Sequence, residues 1–348
     1  MEPNPLMGVL LHAAGGIAAA SFYIPYTRVR NWRWESYWIV GGVFSWLVAP
    51  LAGAAILTPA GFGALLASPP MALAGTYLFG VLWGIGGLTF GLSVRYLGLS
   101  LGYAVALGFC AAFGTVIPPL FMGTIFDLLA TQSGLTILGG IVVCLGGIAV
   151  CGWAGMRRER ETDATEKAEG AVTFNFARGL WVAVFAGVMS ACMAFAFAAG
   201  KPITEAALAA GVSPTFVNLP VLIVALGGGL TTNLIWCLYL NRKNQSFHDY
   251  VHAGDASLGW NYLFSALAGV TWYLQFFFYG IATTKMGAYD FSSWTIHMAF
   301  IIAFSNVWGL WFGEWKGSSR GTVQTVAAGI AVLVLSTIVV GVGNYLAG

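Results

Sequence analysis

Long apolar stretches alternate with short polar breaks along this chain of 348 residues. A helix that crosses a bilayer needs about 20 mostly apolar residues. The pattern predicts ten such helices, roughly at 6–27, 36–57, 72–94, 99–122, 134–155, 179–200, 215–240, 259–282, 288–312 and 322–346. The breaks are Asn31 to Glu35, Ala67-Ser68-Pro69-Pro70, the charged run Arg157 to Glu169, Gly200-Lys201-Pro202, Asn241 to Gly259, and Gly317-Ser318-Ser319-Arg320. Pro202 suits the first turn of a new short helix.

Ten spans leave two alternating sets of loops, and basic residues divide between them unevenly. One set holds thirteen Lys and Arg, the other only Lys201 and Lys285. Basic residues favour the cytoplasmic side, so both termini are expected outside it. The longest polar stretch, residues 157–177, reads as a solvated cytoplasmic linker between residues 1–156 and 178–348. Each part then holds five helices, and an odd number inserts the two in opposite directions. Weak internal matches agree: Trp83, Gly91 and Gly98 align with Trp272, Gly280 and Gly287 at one offset, and Gly8 and Gly16 with Gly179 and Gly187 at another. The expected fold is an all-α membrane protein of two inverted five-helix repeats, the plan of secondary transporters.

Composition sharpens this picture. The chain is 58% hydrophobic and 8% charged, where a soluble domain carries about 25% charged residues. No soluble core of this size hides so much apolar surface. A net charge of +2 is too small and dispersed to suggest nucleic acid. The N-terminus lacks a basic n-region, so the first helix is expected to be retained. Cys110, Cys144, Cys151, Cys192 and Cys237 lie inside apolar stretches with no Cys-x-x-Cys pair, and read as small hydrophobes, predicting neither metal nor disulfide framework. There is no Walker loop, no His-Glu-x-x-His and no Gly-x-Ser-x-Gly. The acids near the membrane are scattered, which argues against an intramembrane enzyme, and no cofactor is predicted.

Ionisable groups inside the bilayer are costly, so each is a functional candidate. His12 falls within the first span and His297 within the ninth. Each can bond a sugar hydroxyl or exchange a proton, or be a buried neutral ring bonded to a carbonyl. Asp290 and Trp294 share a helical face with His297 by spacing, although Asp290 could equally cap the ninth helix. Lys201 and Glu205 form an i, i+4 pair, either a surface ion pair or an outward-facing gate or proton acceptor. Gln275 sits among aromatics in Trp272-Tyr273-Leu274-Gln275-Phe276-Phe277-Phe278-Tyr279, with Trp272 and Tyr279 on its face. Rings beside hydrogen-bonding groups suit a pyranose, but the same stripe could face lipid or pack internally. His248 and His252 lie in a polar loop and read as solvated.

Several of these segments resemble the L-rhamnose–proton symporter family of the drug/metabolite transporter superfamily. They include His12 through Tyr23, Pro25, Arg28, Trp32, Trp34 and Glu35; Arg95-Tyr96-Leu97-Gly98; Lys201-Pro202 with Glu205-Ala206-Ala207 and Gly211-Val212; the Trp272–Tyr279 run; Tyr289-Asp290, Ser293-Trp294 and His297-Met298; and Glu314-Trp315. The resemblance runs over essentially the whole chain. It implies ten helices in an inner membrane and uptake of L-rhamnose, with L-lyxose or mannose as further substrates, driven by a proton gradient. Gly86-Gly87-Leu88-Thr89-Phe90 departs from the asparagine-containing stretch expected there, which bears on the choice of sugar. The expected mechanism is alternating access about a sugar held by Trp272, Gln275, Trp294 and His297, with His12 as a further contact. The proton is expected on His12 or His297, with Asp290 or Glu205 next. The rival is a same-fold exporter or exchanger of another metabolite; basic residues at the span edges argue against a phosphate-bearing cargo.

Overall fold

The computed structural model describes residues 4–97, 99–121, 123, 125–163 and 176–347. Gly98 of the family-like motif and most of the expected linker, residues 164–175, lie outside the described residues. Every regular element among those described is helical. They are α1 (Pro5–Ser21), α2 (Tyr23–Tyr26), α3 (Trp34–Val43), α4 (Ala49–Leu57), α5 (Ala60–Ala67), α6 (Pro70–Leu97), α7 (Leu99–Phe121), α8 (Ile125–Ala130), α9 (Gln132–Asp163), α10 (Phe176–Ala199), α11 (Lys201–Ala209), α12 (Leu219–Asn244), α13 (Leu258–Thr283), α14 (Ser293–Trp311) and α15 (Arg320–Tyr345). A π-helical turn, Phe44–Val48, joins α3 to α4, and 3₁₀ turns occupy Phe247–Tyr250 and Gly287–Ser292.

Eight segments among the described residues are long and apolar enough to cross a membrane: Pro5–Tyr26, Trp34–Leu57, Pro70–Ser93, Gln132–Glu161, Ala177–Ala209, Leu219–Asn244, Leu258–Thr283 and Arg320–Tyr345. The other two expected spans are present as helices of weaker character. In α7 the apolar segment is the shorter Ala104–Leu120, and α14 has only 19 residues and carries His297, Ser305 and Asn306. Pro202 opens α11 as its sequence suggests. Helices α5 and α8 are further short elements.

Two compact units make up the described chain, and neither follows the halves of the sequence. One takes the residues up to Ile17, Gly86–Ala194 and those from Ala282 onward; it is called the histidine unit below. The other, the aromatic unit, takes Ala18–Ile85 and Phe195–Ile281.

In the histidine unit α9 and α15 lie close together, and α14 packs on α7 and α15. Ile137, Ile141, Met286, Ile296, Phe300 and Val340 form a buried cluster there. Lipid tails are as apolar as leucine, so helices in a membrane associate through close packing of small residues and through polar contacts. Gly8 and Gly16 act in this way: a Cβ on either would overlap Met286 or Phe300. Helix α9 also runs past the expected end of its span, through Arg157 to Asp163. The reason is local. Glu161 accepts hydrogen bonds from Ser319 N, Ser319 Oγ and Thr322 Oγ1, each 2.7 Å, at the start of α15. An anion at a helix N-terminus meets unpaired N–H groups and the favourable end of the dipole.

The aromatic unit is tied together by polar contacts between helices. Trp38 Nε1 donates to Asn233 Oδ1 at 3.0 Å, Thr232 Oγ1 to the Val81 carbonyl at 3.0 Å, and the Tyr77 and Thr231 hydroxyls meet at 2.6 Å. Gly41 and Gly269 let α3 and α13 touch backbone to backbone, since a Cβ on Gly269 would overlap the Gly41 carbonyl. The π-turn has a covalent cause. Pro50, in the first turn of α4, has no N–H to offer the carbonyl four residues back. The ladder widens instead, and Ala49 N bonds Phe44 O five residues away.

Candidate functional site

The widened turn of the aromatic unit brings Ser45 and Trp46 to a crevice with Gly41, Gly42, Phe22, Tyr26, Trp38, Gly269 and Trp272. Its walls are mostly rings. Phe22 stands edge-on to Trp272 with centroids 4.2 Å apart, and Trp38 lies 6.2 Å from Trp46 and 6.4 Å from Trp272. The cavity volume is only about 10 Å³, room for about one water and far below the 300–1,000 Å³ of an ordinary small-molecule site. A ligand the size of a sugar must therefore part these rings to enter. Three polar atoms on the walls are buried with no hydrogen-bond partner among the described residues: Ser45 Oγ, Trp46 Nε1 and Trp272 Nε1. Such atoms are uncommon, because a buried unsatisfied donor costs about 1–3 kcal/mol. Gln275, one turn along α13 from Trp272, is 3% exposed and its Nε2 is likewise unmatched.

In the histidine unit, Gly8, His12 and Gly16 repeat every fourth residue and so share one face of α1. His12 and His297 are both fully buried, their ring centroids 5.9 Å apart. Trp294 lies beside His297 at 6.4 Å, and its indole N–H donates to the Cys110 carbonyl at 3.0 Å. In the same unit the Thr115 and Thr295 hydroxyls meet at 2.7 Å. The two rings come from helices near opposite ends of the chain and form a pair of neighbouring titratable groups.

The sequence candidates divide between the units. His12, His297, Trp294 and Asp290 belong to the histidine unit; Trp272, Gln275 and Glu205 belong to the aromatic unit. Asp290 does not lie on the helix of His297. It sits in the 3₁₀ turn Gly287–Ser292, and α14 begins only at Ser293 with Ser292 as its N-cap residue. Glu205 is exposed on α11, and no ion pair joins it to Lys201. The five cysteines are buried free thiols.

Among the described residues two carboxylates are buried: Glu35 of the family-like first segment, and Asp249, which no sequence pattern singled out. Glu35, 3% exposed, accepts from Asn244 Nδ2 at 2.9 Å and Ser246 Oγ at 2.7 Å. Asp249, 2% exposed, accepts from Arg33 N at 2.8 Å and Ser36 Oγ at 2.7 Å. Asn261 bonds both the N–H and the carbonyl of Arg30, at 3.1 and 2.8 Å. Asn31, at φ 62° in the left-handed region that Asn tolerates, donates to the Ala253 carbonyl and to Asp255. These contacts clamp residues 30–36 to residues 241–261 within the aromatic unit. Burial pushes the nearby Tyr250 phenol up to about 12, so it stays protonated. His248 and His252 are exposed, as their polar loop suggests.

A helical membrane chain with uncharged polar groups facing rings is compatible with many small neutral cargoes. The comparison with known proteins narrows this. The family described as L-rhamnose-proton symport protein (RhaT) matches residues 1–346. The chain belongs to that family. Among its relatives, an L-rhamnose-proton symporter of Cronobacter sakazakii is 40% identical over 340 residues, 97% of each chain. One of Yersinia pestis is 38% identical over 342 residues, 97% of this chain and 98% of its own. Family membership makes this a transporter rather than an enzyme. The family-like runs quoted from the sequence fall in both units: the Trp272–Tyr279 run on α13 in the aromatic unit, and Ser293-Trp294 with His297-Met298 on α14 in the histidine unit.

Proposed function

We propose that this protein takes up L-rhamnose together with a proton by alternating access. The observation that carries this reading is the family match over residues 1–346, with relatives named L-rhamnose-proton symporter along 97% of the chain. The chemistry of the interior fits such a cargo. A neutral pyranose presents C–H faces that stack on rings and hydroxyls that need donors and acceptors.

In this reading the sugar rests against Trp272, with the Gln275 amide as a hydrogen-bonding partner. Trp294 offers its ring, since the Cys110 carbonyl takes its N–H. The proton rides on His297 or His12, paired at 5.9 Å, and either imidazole can also meet a hydroxyl. Asp290 and Glu205 are the next choices for the proton. One proton moving inward supplies about 2.3 kcal/mol per 100 mV, more than tenfold accumulation of a neutral sugar.

The arrangement we propose is ten membrane-spanning helices in two inverted repeats, residues 1–156 and 178–348, joined by 157–177, in a bacterial inner membrane with both termini periplasmic. The thirteen-to-two division of basic residues supports the orientation. That each compact unit draws helices from both halves of the chain suits interlocked repeats.

Labelled L-rhamnose uptake into proteoliposomes under an inward proton gradient tests the function. Accumulation that collapses with an uncoupler is expected. Folded protein that takes up no L-rhamnose, or takes it up regardless of the gradient, overturns the reading. His297→Ala is expected to abolish gradient-driven accumulation; undiminished proton-coupled uptake removes His297 as carrier.

A further inference from the structure

We infer that the π-turn Phe44–Val48 is a sugar-recognition element, in which Ser45 Oγ and Trp46 Nε1 hydrogen-bond hydroxyls of the transported monosaccharide beside Trp272. The inference rests on the transporter reading and adds to it two residues that neither sequence pattern nor resemblance singled out.

Three independent features converge on this turn. The first is backbone geometry. A π-turn trades well-formed helical hydrogen bonds for a wide turn, and such turns gather at functional sites. Pro50 holds this one in place by denying the regular bond. The second is the pattern of satisfaction. Ser45 is 2% exposed and Trp46 4% exposed, yet Ser45 Oγ and Trp46 Nε1 have no partner among the described residues. A few residues away, Trp38 Nε1 is fully matched by Asn233. Many buried hydroxyls bond a carbonyl of the preceding turn, as Thr58 and Ser68 do in the same unit; Thr76 and Ser265 there are unmatched like Ser45, but they do not line the crevice. The third is placement. Both side chains line a crevice whose other side-chain walls are Phe22, Tyr26, Trp38 and Trp272.

The chemistry selects the ligand class. The indole N–H can only donate, while the serine hydroxyl can donate and accept. Both are uncharged, and the crevice walls carry no ionisable group other than the Tyr26 phenol. That set fits a neutral polyol ring stacked on an indole, not a carboxylate, phosphate or amine. Gly41 and Gly42 let the Tyr26 hydroxyl and the Trp46 ring lie directly against the α3 backbone, since a Cβ on either would overlap them.

The test uses the full-length protein in proteoliposomes, with Ser45→Ala and Trp46→Phe, and L-rhamnose together with its monodeoxy analogues as probes. Ser45→Ala deletes one hydrogen-bonding atom and keeps the shape; Trp46→Phe deletes the indole N–H and also shrinks a buried ring, so its hydrogen-bonding part is read from the coupling to the analogues. Each is expected to raise the KM for L-rhamnose roughly fivefold to tenfold, the worth of one neutral buried hydrogen bond. The deciding readout is coupling. For one deoxy analogue per residue, the variant should transport it as well as the wild type does, because the hydroxyl that the deleted atom holds is already missing. Thermal unfolding in detergent checks folding; Ser45→Ala should be as stable as wild type, since it removes an unmatched polar atom. Unchanged KM in both variants, or an equal loss for every analogue, overturns the inference. Wild-type protein that transports no L-rhamnose at all would instead overturn the transporter reading. If a variant fails to fold, the wild-type ranking of the analogues decides: equal transport of all of them means no hydroxyl is recognised.

Discussion

Replacing Asp249 by alanine is expected to open the clamp at residues 30–36 while leaving the membrane helices folded. The carboxylate is 2% exposed and accepts two short bonds, from Arg33 N at 2.8 Å and Ser36 Oγ at 2.7 Å. A hydrogen bond to a charged group contributes about 1.5–3 kcal/mol, and its loss also strands the donor. Two such bonds, with some water entering, put the local cost at about 3–5 kcal/mol. At about 1.4 kcal/mol per tenfold, hydrogen-exchange protection around Arg33 should fall by about a hundredfold or more. His248 supplies an internal control. Its Nε2 lies 3.3 Å from Asp249 Oδ1, but its side chain is 66% exposed. An exposed pair of this kind contributes at most about 1 kcal/mol, so His248→Ala should barely alter protection. Exchange mass spectrometry on the purified protein reads both. Equal effects of the two substitutions, or unchanged protection in Asp249→Ala, would refute the claim that buried carboxylate bonds hold this segment.

Glu161→Ala removes the acceptor for Ser319 and Thr322 at the start of α15; the unfolding midpoint should drop by a few degrees, and Glu161→Gln should recover part of it. Gly269→Ala places a methyl on the Gly41 carbonyl, so monodisperse protein should be lost on size-exclusion chromatography. Gly259→Ala on the same helix meets nothing closer than Ser257 Oγ at 3.9 Å and should behave as wild type. Trp294→Phe forfeits the bond to the Cys110 carbonyl and shrinks a side chain only 1% exposed; a destabilisation of about 1–3 kcal/mol is expected, read by denaturant titration in detergent.

The membrane-embedded helical character of this protein was legible in the chain alone, because runs of apolar residues leave no other solvent for the backbone than a bilayer. Eight of the ten expected spans appear as helices of sufficient length and apolarity, and the Trp272–Tyr279 run already pointed to the family that the full-length match shows. His12 and His297 stood out because an imidazole in an apolar run is costly. Their pairing did not, nor did the clamp of Glu35 and Asp249, which looked like parts of separate polar loops. Asp290 could be read on the face of His297 or as a cap of the ninth helix, because spacing alone does not register the 3₁₀ turn that holds it. Pro50 was the sign of the π-turn in the sequence, and it is easily lost in an apolar run. The physical reason is common to all of these. Apolar periodicity records how much surface leaves water, and lipid and protein interior are nearly equal in that respect. Which face of a helix meets a neighbour is decided by close fits such as Gly41 on Gly269 and by bonds between distant segments, such as Ser36 to Asp249. Those exist only once the helices have met, so the sequence determined the helices and their solvent, and the tertiary structure alone decided which polar atoms were left facing one another.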